Sequence, residues 1–265
     1  MTLQPPSFQH RSFQPVALAA FHDNYVWCLR HGGRALVVDP GDPAVVEAWL
    51  QREGLALAVI LVTHHHPDHV GGLPALIAAH QPEVYGPPEA IAGLDHVLTG
   101  GETLEISGFG QFQVMAVPGH TRAHIAYYQA GAGLLFCGDT LFSAGCGRLF
   151  EGTPEQMYQS LQLLAALPDS TRVCCTHEYT LANLRFAAAV EPQNPAVSAR
   201  HQEVEALRAD NRPSLPVLLG SERDYNPFLR SHVPAVIAAA ESETGRPLTP
   251  GQATFTALRS WKDRF

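Results

Sequence analysis

Residues 62–72 read VTHHHPDHVGG, which puts four histidines and an aspartate within six positions, directly after an apolar run. In extended backbone alternate side chains share a direction, so His64 and His66 can converge on one point while His65 turns away. Asp68 and His69 open the next helix and can converge on a second point close by. Three more donors stand in the same relation to an apolar run: His120 in AVPGHT, Asp139 in LLFCGDTLF and His177 in VCCTHEYT. Each follows a segment that should be buried, so each should sit where a strand gives way to a loop. Such strand ends share one rim of a sheet, where ligand sites gather. Five imidazoles and two carboxylates are too many for one tetrahedral ion and suit two. Imidazole binds zinc, iron and manganese, and a carboxylate can bridge two cations. Paired cations are the usual arrangement for metal-assisted hydrolysis and need no thiolate. Asp68 and Asp139 are the carboxylates expected to act in the reaction itself, Asp68 by orienting the attacking hydroxide.

A single histidine is more often a surface or hydrogen-bonded core residue. His10, His22, His31, His80, His96, His201 and His232 are read that way, with His65 and His124 as neighbours of the cluster. A chance histidine tract can bind metal. It would lack the strand lead-in, the fixed Asp-His offset and the Gly-Gly that follow here.

The elements that must position these residues can be read coarsely. PVALAAF, YVWCLRH and GRALVV predict three strands, the last two joined at Gly32-Gly33. DPAVVEAWLQREG predicts a helix with Asp42 as N-cap, Pro43 in the first turn and Gly54 beyond the end. LALAVILVT is a continuous apolar run and predicts a buried central strand. DHVGGLPALIAAH predicts one helix. EVYGP, ETLEI and QFQVMAVP predict short strands, and HIAYYQA with GLLFCGD a hairpin around Gly131-Ala132-Gly133. TPEQMYQSLQLLAALP predicts a helix capped at Thr153, TRVCCTH a strand, and TLANLRFAAAVEP a helix. Residues 1–14 read as a polar lead-in. After residue 195 the pattern is helical, with no strand expected. Strand-rich runs ahead of the helices predict sheets sandwiched between helices. The expected division is 1–185 for the metal-binding catalytic domain and 186–265 for a small helical domain.

Composition narrows the function. A net charge of −8 over 265 residues speaks against nucleic acid, which needs a basic face. No apolar run approaches the roughly 18 residues a membrane span needs. The amino-terminal segment lacks the apolar core of an export signal. Five cysteines, an odd number without a C-x-x-C pair, fit a reducing cytoplasm. Of the 17 basic residues only Lys262 is a lysine.

THHHPDH is similar to the H-x-H-x-D-H motif of the metallo-β-lactamase fold superfamily. The later GHT, GDTLF and THEYT segments, with AFHDNYVW near the start, resemble the glyoxalase II (hydroxyacylglutathione hydrolase) family over about residues 16–265. The resemblance implies an α+β fold: an αββα sandwich with a C-terminal helical domain. It implies two divalent metals, zinc first, with iron or manganese as alternatives. His64, His66 and His120 would hold one, and Asp68, His69 and His177 the other. Asp139 and a hydroxide would bridge them. The implied reaction is hydrolysis of S-(2-hydroxyacyl)glutathione, S-D-lactoylglutathione above all, to glutathione and a 2-hydroxy acid. That is the second step of methylglyoxal detoxification.

The resemblance also implies that Arg148 in AGCGRLFEGT, Tyr179, and Arg259 with Lys262 in LRSWKDRF bind the glutathione moiety. Arg259 and Lys262 are three apart and share a helix face. Phe150 stands where some relatives carry an aromatic hydroxyl, so that contact is expected to be missing. Cys146 has no paired base and is read as structural. The expected partner is the small-molecule thioester alone, on a monomer without nucleic acid or membrane. The nearest alternative is a glutathione persulfide dioxygenase of the same superfamily with a single iron. A β-lactamase would carry a second-site cysteine ligand, which this chain lacks.

Overall fold

The computed structural model describes residues 13–265, so the expected lead-in falls mostly outside the described residues. An antiparallel pair, β1 (Val16–Ala20) and β2 (Asn24–His31), turns into β3 (Arg34–Val38). Helix α1 (Pro43–Glu53) leads to β4 (Ala56–Leu61), then α2 (Pro67–Val70), α3 (Leu73–His80), β5 (Glu83–Gly86) and β6 (His96–Val97). These six strands form one sheet in chain order. Next come β7 (Thr103–Ile106), β8 (Gly110–Ala116), β9 (Ile125–Gln129) and β10 (Leu134–Phe136). A small hairpin, β11 (Leu141–Phe142) and β12 (Gly145–Cys146), precedes α4 (Pro154–Ala165), β13 (Arg172–Cys174), α5 (Thr180–Val190) and α6 (Pro195–Ala209). The chain ends with β14 (Val217–Leu218), α7 (Leu219–Tyr225), α8 (Pro234–Thr244) and α9 (Gln252–Lys262). The second sheet has the order β14-β13-β10-β9-β8-β7.

Strand alternation builds the layers. Trp27, Leu29, Leu36, Val38, Val59 and Leu61 face inward and pack in one cluster with Phe112, Val114, Tyr127 and Phe136 of the second sheet. The residues between them, Val26, Cys28, Val37 and Ile60, face out and are covered by Val46 and Trp49 of α1 and Leu73 and Leu76 of α3. Met157, Leu161 and Leu164 lay the apolar stripe of α4 on the other side of the main cluster. The result is the expected αββα order, with further helices at the C-terminal end.

The caps are where the sequence puts them. Asp42 accepts from Ala44 N at 2.9 Å, and Thr153 with Gln156 closes a capping box. Two expectations are corrected. The single helix over 68–80 is split, because Gly72 N donates to Pro40 O at 2.9 Å instead of continuing the helix. A Cβ on Gly72 would lie 2.3 Å from that oxygen. The C-terminal region also contributes a strand: β14 pairs antiparallel with β13 through Val173↔Val217 and Arg172↔Leu218. Two residues are too few to show an alternation.

Candidate metal centre

Each expected donor sits just past a strand. His64 follows β4, His120 follows β8, Asp139 follows β10, and His177 follows β13. Three of those strands are close neighbours in the second sheet, so the sandwich gathers the donors at one rim. His66 is the N-cap of α2, and Asp68 and His69 lie in its only turn.

Two donor sets result. His66 Nδ1 lies 3.1 Å from His64 Nε2 and 3.0 Å from His120 Nε2. Beside this tripod, His69 Nε2 and His177 Nε2 lie 3.6 and 3.5 Å from Asp68 Oδ2. Asp139 reaches both sets, 3.4 Å from the Nε2 atoms of His69, His120 and His177. Within each of the groups His64-His66-His120 and Asp68-His69-His177, the ligand atoms lie within 4.8 Å of one another.

The electrostatics fit cations. Burial, reinforced by the neighbouring imidazoles, pushes the pKa values of His64, His66 and His120 down, which leaves neutral rings with lone pairs aimed together. Burial also opposes protonation of His69 and His177, but carboxylates outweigh it, Asp139 first. His69 is raised, and His177 is pushed up to about 9. His69 Nε2 and His177 Nε2 are buried without a hydrogen-bond partner. Buried ring nitrogens left unpartnered are costly unless a proton or a cation satisfies them, and this mixed imidazole and carboxylate set suits zinc, iron or manganese.

A ring of supports fixes the imidazoles. His177 Nδ1 donates to Asp23 Oδ1 at 2.9 Å, and His120 Nδ1 donates to the Arg148 carbonyl at 2.8 Å, so each turns its Nε2 inward. Asn24 Nδ2 donates to Asp68 Oδ2 at 2.9 Å, and Thr176 Oγ1 donates to Asp139 Oδ1 at 2.6 Å. Asp39 serves both sets. It accepts from Thr63 N and Thr63 Oγ1, each at 2.7 Å, and lies 3.1 Å from His69 Nδ1. The Thr63 hydroxyl in turn sits 3.0 Å from His64 Nδ1. His124 is no ligand: its Nε2 accepts from Asp139 N at 3.1 Å, and its ring stacks on His64. His65 faces away, 2.8 Å from Glu89 Oε2 and 3.3 Å from Glu151 Oε1.

Asp39 is the support that sequence reasoning passes over, although it ends a buried strand just as Asp139 does. Asp39→Asn puts an amide N–H against the Thr63 hydroxyl or His69. It is expected to weaken metal binding about 10- to 100-fold with the fold retained. Competition against a graded series of chelators, with circular dichroism alongside, measures this; unchanged affinity would remove Asp39 from the site.

A cavity of about 410 Å³ opens beside the donors. His120 and Asp139 line one side of it, and Arg148, Tyr179, Arg259 and Lys262 all line it too. All four residues expected to bind the substrate thus line one cavity with two of the expected metal donors. Tyr179 stacks on His177 with ring centroids 4.7 Å apart. Burial, with Asp23 and Asp139 close by, drives its pKa upward, so the hydroxyl stays a donor. Phe150 is 64% exposed and stands edge-on to His66 and His120. Cys146 is buried beside Arg259, and burial raises its thiol pKa, as a structural cysteine requires.

Fold and donor sets together define a metallo-β-lactamase superfamily protein, and residues 20–177 match that family's profile. Residues 178–265 match the profile of the hydroxyacylglutathione hydrolase C-terminus. The chain belongs to the hydroxyacylglutathione hydrolase family, also called glyoxalase II. It is 56% identical over 253 residues to the hydroxyacylglutathione hydrolase of Ectopseudomonas mendocina, covering 94% of this chain and 98% of that one. Among solved structures it is similar to the BLEG-1 B3 metallo-β-lactamase, with 26% identity, a TM-score of 0.61, and coverage of 82% of this chain and 99% of that one. It is also similar to TTHA1623, solved in a di-iron-bound form, with 30% identity, a TM-score of 0.54, and coverage of 62% of this chain and 91% of that one.

Proposed function

We propose that the chain hydrolyses the thioester of S-(2-hydroxyacyl)glutathione, S-D-lactoylglutathione above all, releasing glutathione and a 2-hydroxy acid. The observation that carries this reading is one cavity lined both by His120 and Asp139, members of the adjoining donor groups, and by Arg148, Arg259 and Lys262. Membership of the family supports it.

His64, His66 and His120 would hold one divalent cation and Asp68, His69 and His177 the other, with Asp139 between them. Bound there, such ions supply a nucleophilic hydroxide at neutral pH and polarise the acyl carbonyl. Zinc is the first choice, with iron or manganese as alternatives; the di-iron form of TTHA1623 supports iron as a possible occupant of such a centre. Asp68, held by Asn24 and partly exposed, would orient the attacking hydroxide. The leaving thiolate has a pKa near that of a free thiol, about 8.5, so no strong general acid is needed. Arg148 and Lys262 offer cations to the glutathione carboxylates, and Tyr179 a hydroxyl.

We place the reaction in methylglyoxal detoxification in the cytoplasm, a setting that five unpaired, buried cysteines support. No helix among the described residues is long and apolar enough to cross a membrane. We keep a monomer as the expected state. We keep residues 186–265 as a substrate-binding domain. In support, α9 carries Arg259 and Lys262 to the cavity. The second donor set counts against a single-iron persulfide dioxygenase.

The deciding assay follows thiol release from S-D-lactoylglutathione on protein of measured metal content. Turnover is expected. A fully metal-loaded protein that releases no thiol, or that instead consumes oxygen with glutathione persulfide, would overturn the proposal.

A further inference from the structure

The cations of the cavity are not all free to meet a substrate. Arg259 is 4% exposed. Its Nη1 donates to the Cys146 carbonyl at 3.0 Å, and its Nη2 donates to Asp263 Oδ1 at 2.8 Å. Its remaining donor, Nε, is buried without a partner. Arg148, 65% exposed at its side chain, brings its Nε to 3.9 Å from the same Asp263 Oδ1. Two guanidinium groups at the cavity therefore point at one carboxylate oxygen of the chain itself. That oxygen belongs to the residue directly after Lys262, the third cation.

Asp263 is a poor fit to its own helix. It is the C-cap of α9, and its backbone N bonds Arg259 O at 3.0 Å. A carboxylate at a helix C-terminus opposes the macrodipole, which favours cations there. Lys262 and Arg259 follow that preference in the last turn; Asp263 goes against it. Its side chain is 43% exposed, so it can rotate into water without disturbing the core. What holds it inward is the pair of guanidinium groups. Ion pairs that water reaches on one side are weak, and Asp263 and Arg148 both lie on that side.

We propose that Asp263 is an internal counter-carboxylate of the anion seat, which a substrate carboxylate must displace, so that Asp263 sets substrate affinity. The proposal rests on the glutathione thioester reading. One of glutathione's two carboxylates takes the Oδ1 position between Arg148 and Arg259 while Asp263 swings outward. Arg259 keeps its grip on the Cys146 carbonyl throughout and so serves the hairpin loop as well as the ligand. The device also selects. An anion that cannot outcompete a tethered carboxylate does not gain the seat, whereas a ligand that engages Lys262 and Tyr179 at the same time does.

The test is Asp263→Asn on metal-loaded protein. The amide keeps the shape and can still accept from Arg259, but it carries no charge. Titration calorimetry with S-hexylglutathione, a thioether that cannot be hydrolysed, reads binding without turnover. Its Kd is expected to fall roughly two- to fivefold, the scale of an exposed ion pair. KM for S-D-lactoylglutathione should fall by a similar factor. Binding should also become more sensitive to salt, since the seat gains net positive charge. Asp263→Glu restores a competing carboxylate and should return Kd toward the wild-type value. A residue that merely buttressed Arg259 would give the opposite sign: Kd and KM would rise in Asp263→Asn. A rise, or no change, overturns the proposal. If the wild-type protein neither binds S-hexylglutathione nor releases thiol, it is the glutathione reading that fails. If it does both and Asp263→Asn binds no tighter, Asp263 alone is misassigned.

Discussion

Asp139→Asn is expected to lower kcat/KM for the thioester by about three orders of magnitude and to reduce the metal retained per chain. The Asp139 carboxylate lies 3.4 Å from imidazoles of both donor sets. Burial works against its charge, yet the imidazoles of His69 and His177 hold its pKa far below the ordinary carboxylate value. It is therefore a fixed negative charge at the join of the two donor sets. Its position is set from behind, by the Thr176 hydroxyl on Oδ1 and by its own N–H on His124 Nε2. Asparagine keeps the shape but removes the charge, and it turns an N–H toward an imidazole lone pair. Bound cations supply several kcal/mol of transition-state stabilisation, and each 1.4 kcal/mol is about tenfold in rate. Losing the register between the two sites should therefore cost about a thousandfold. Elemental analysis and steady-state kinetics on the same preparation check this. A variant with full metal content and turnover within tenfold of wild type would show that Asp139 does not bridge.

The legibility of this site follows from where its residues stand on the chain. Four strand ends each read as an apolar run broken by a polar residue, and burial of the run leaves that residue only the rim. Period-two geometry alone separates His64 and His66 from His65, and His65 indeed turns to Glu89 and Glu151. The same signal marks Asp39 in RALVVD, but DPGD reads locally as a turn and hides it. Asp23 and Asn24 precede a strand rather than follow one, so no strand-end rule finds them. The role of Arg259 is legible only in part: its spacing to Lys262 shows a shared helix face but not that Cys146 and Asp263 already occupy its donors. Strand β14 and the hairpin β11–β12 are two residues per strand, below what any periodicity can show. Each is set by its partner strand.

Glu222 lies in GSERDY, a polar stretch that reads as surface, yet it is fully buried. Its carboxylate accepts from Ser143 Oγ and Ala144 N at 2.7 Å each, Tyr225 Oη at 2.8 Å, and Asn226 Nδ2 at 3.0 Å. Burial still pushes its pKa up against all four donors, a sign of how dry the position is. Two of the donors belong to the β11–β12 turn, where Ala144 is held at a φ of 55°, a conformation that costs energy for any residue with a side chain. Asn226 grips the same turn through the Phe142 and Gly145 carbonyls, at 3.1 and 3.0 Å. The turn leads within a few residues to Arg148, whose carbonyl orients His120. A C-terminal helix thus sets the loop that carries both Arg148 of the cavity and the carbonyl that holds His120. Glu222→Ala strips the acceptor from four donors that water reaches poorly. Each unsatisfied buried group costs about 1–3 kcal/mol, with partial relaxation, so a loss of about 3–5 kcal/mol is expected. Glu222→Gln retains one acceptor oxygen but aims an amide at the other donors, and should fall between. Urea unfolding of metal-loaded and metal-stripped protein measures both variants. The loss should persist without metal, because the contacts lie in the turn and not among the ligands. A loss below about 1 kcal/mol would mean that the turn holds its shape without Glu222, and the control of His120 would then have to come from Asn226 and Arg259 alone.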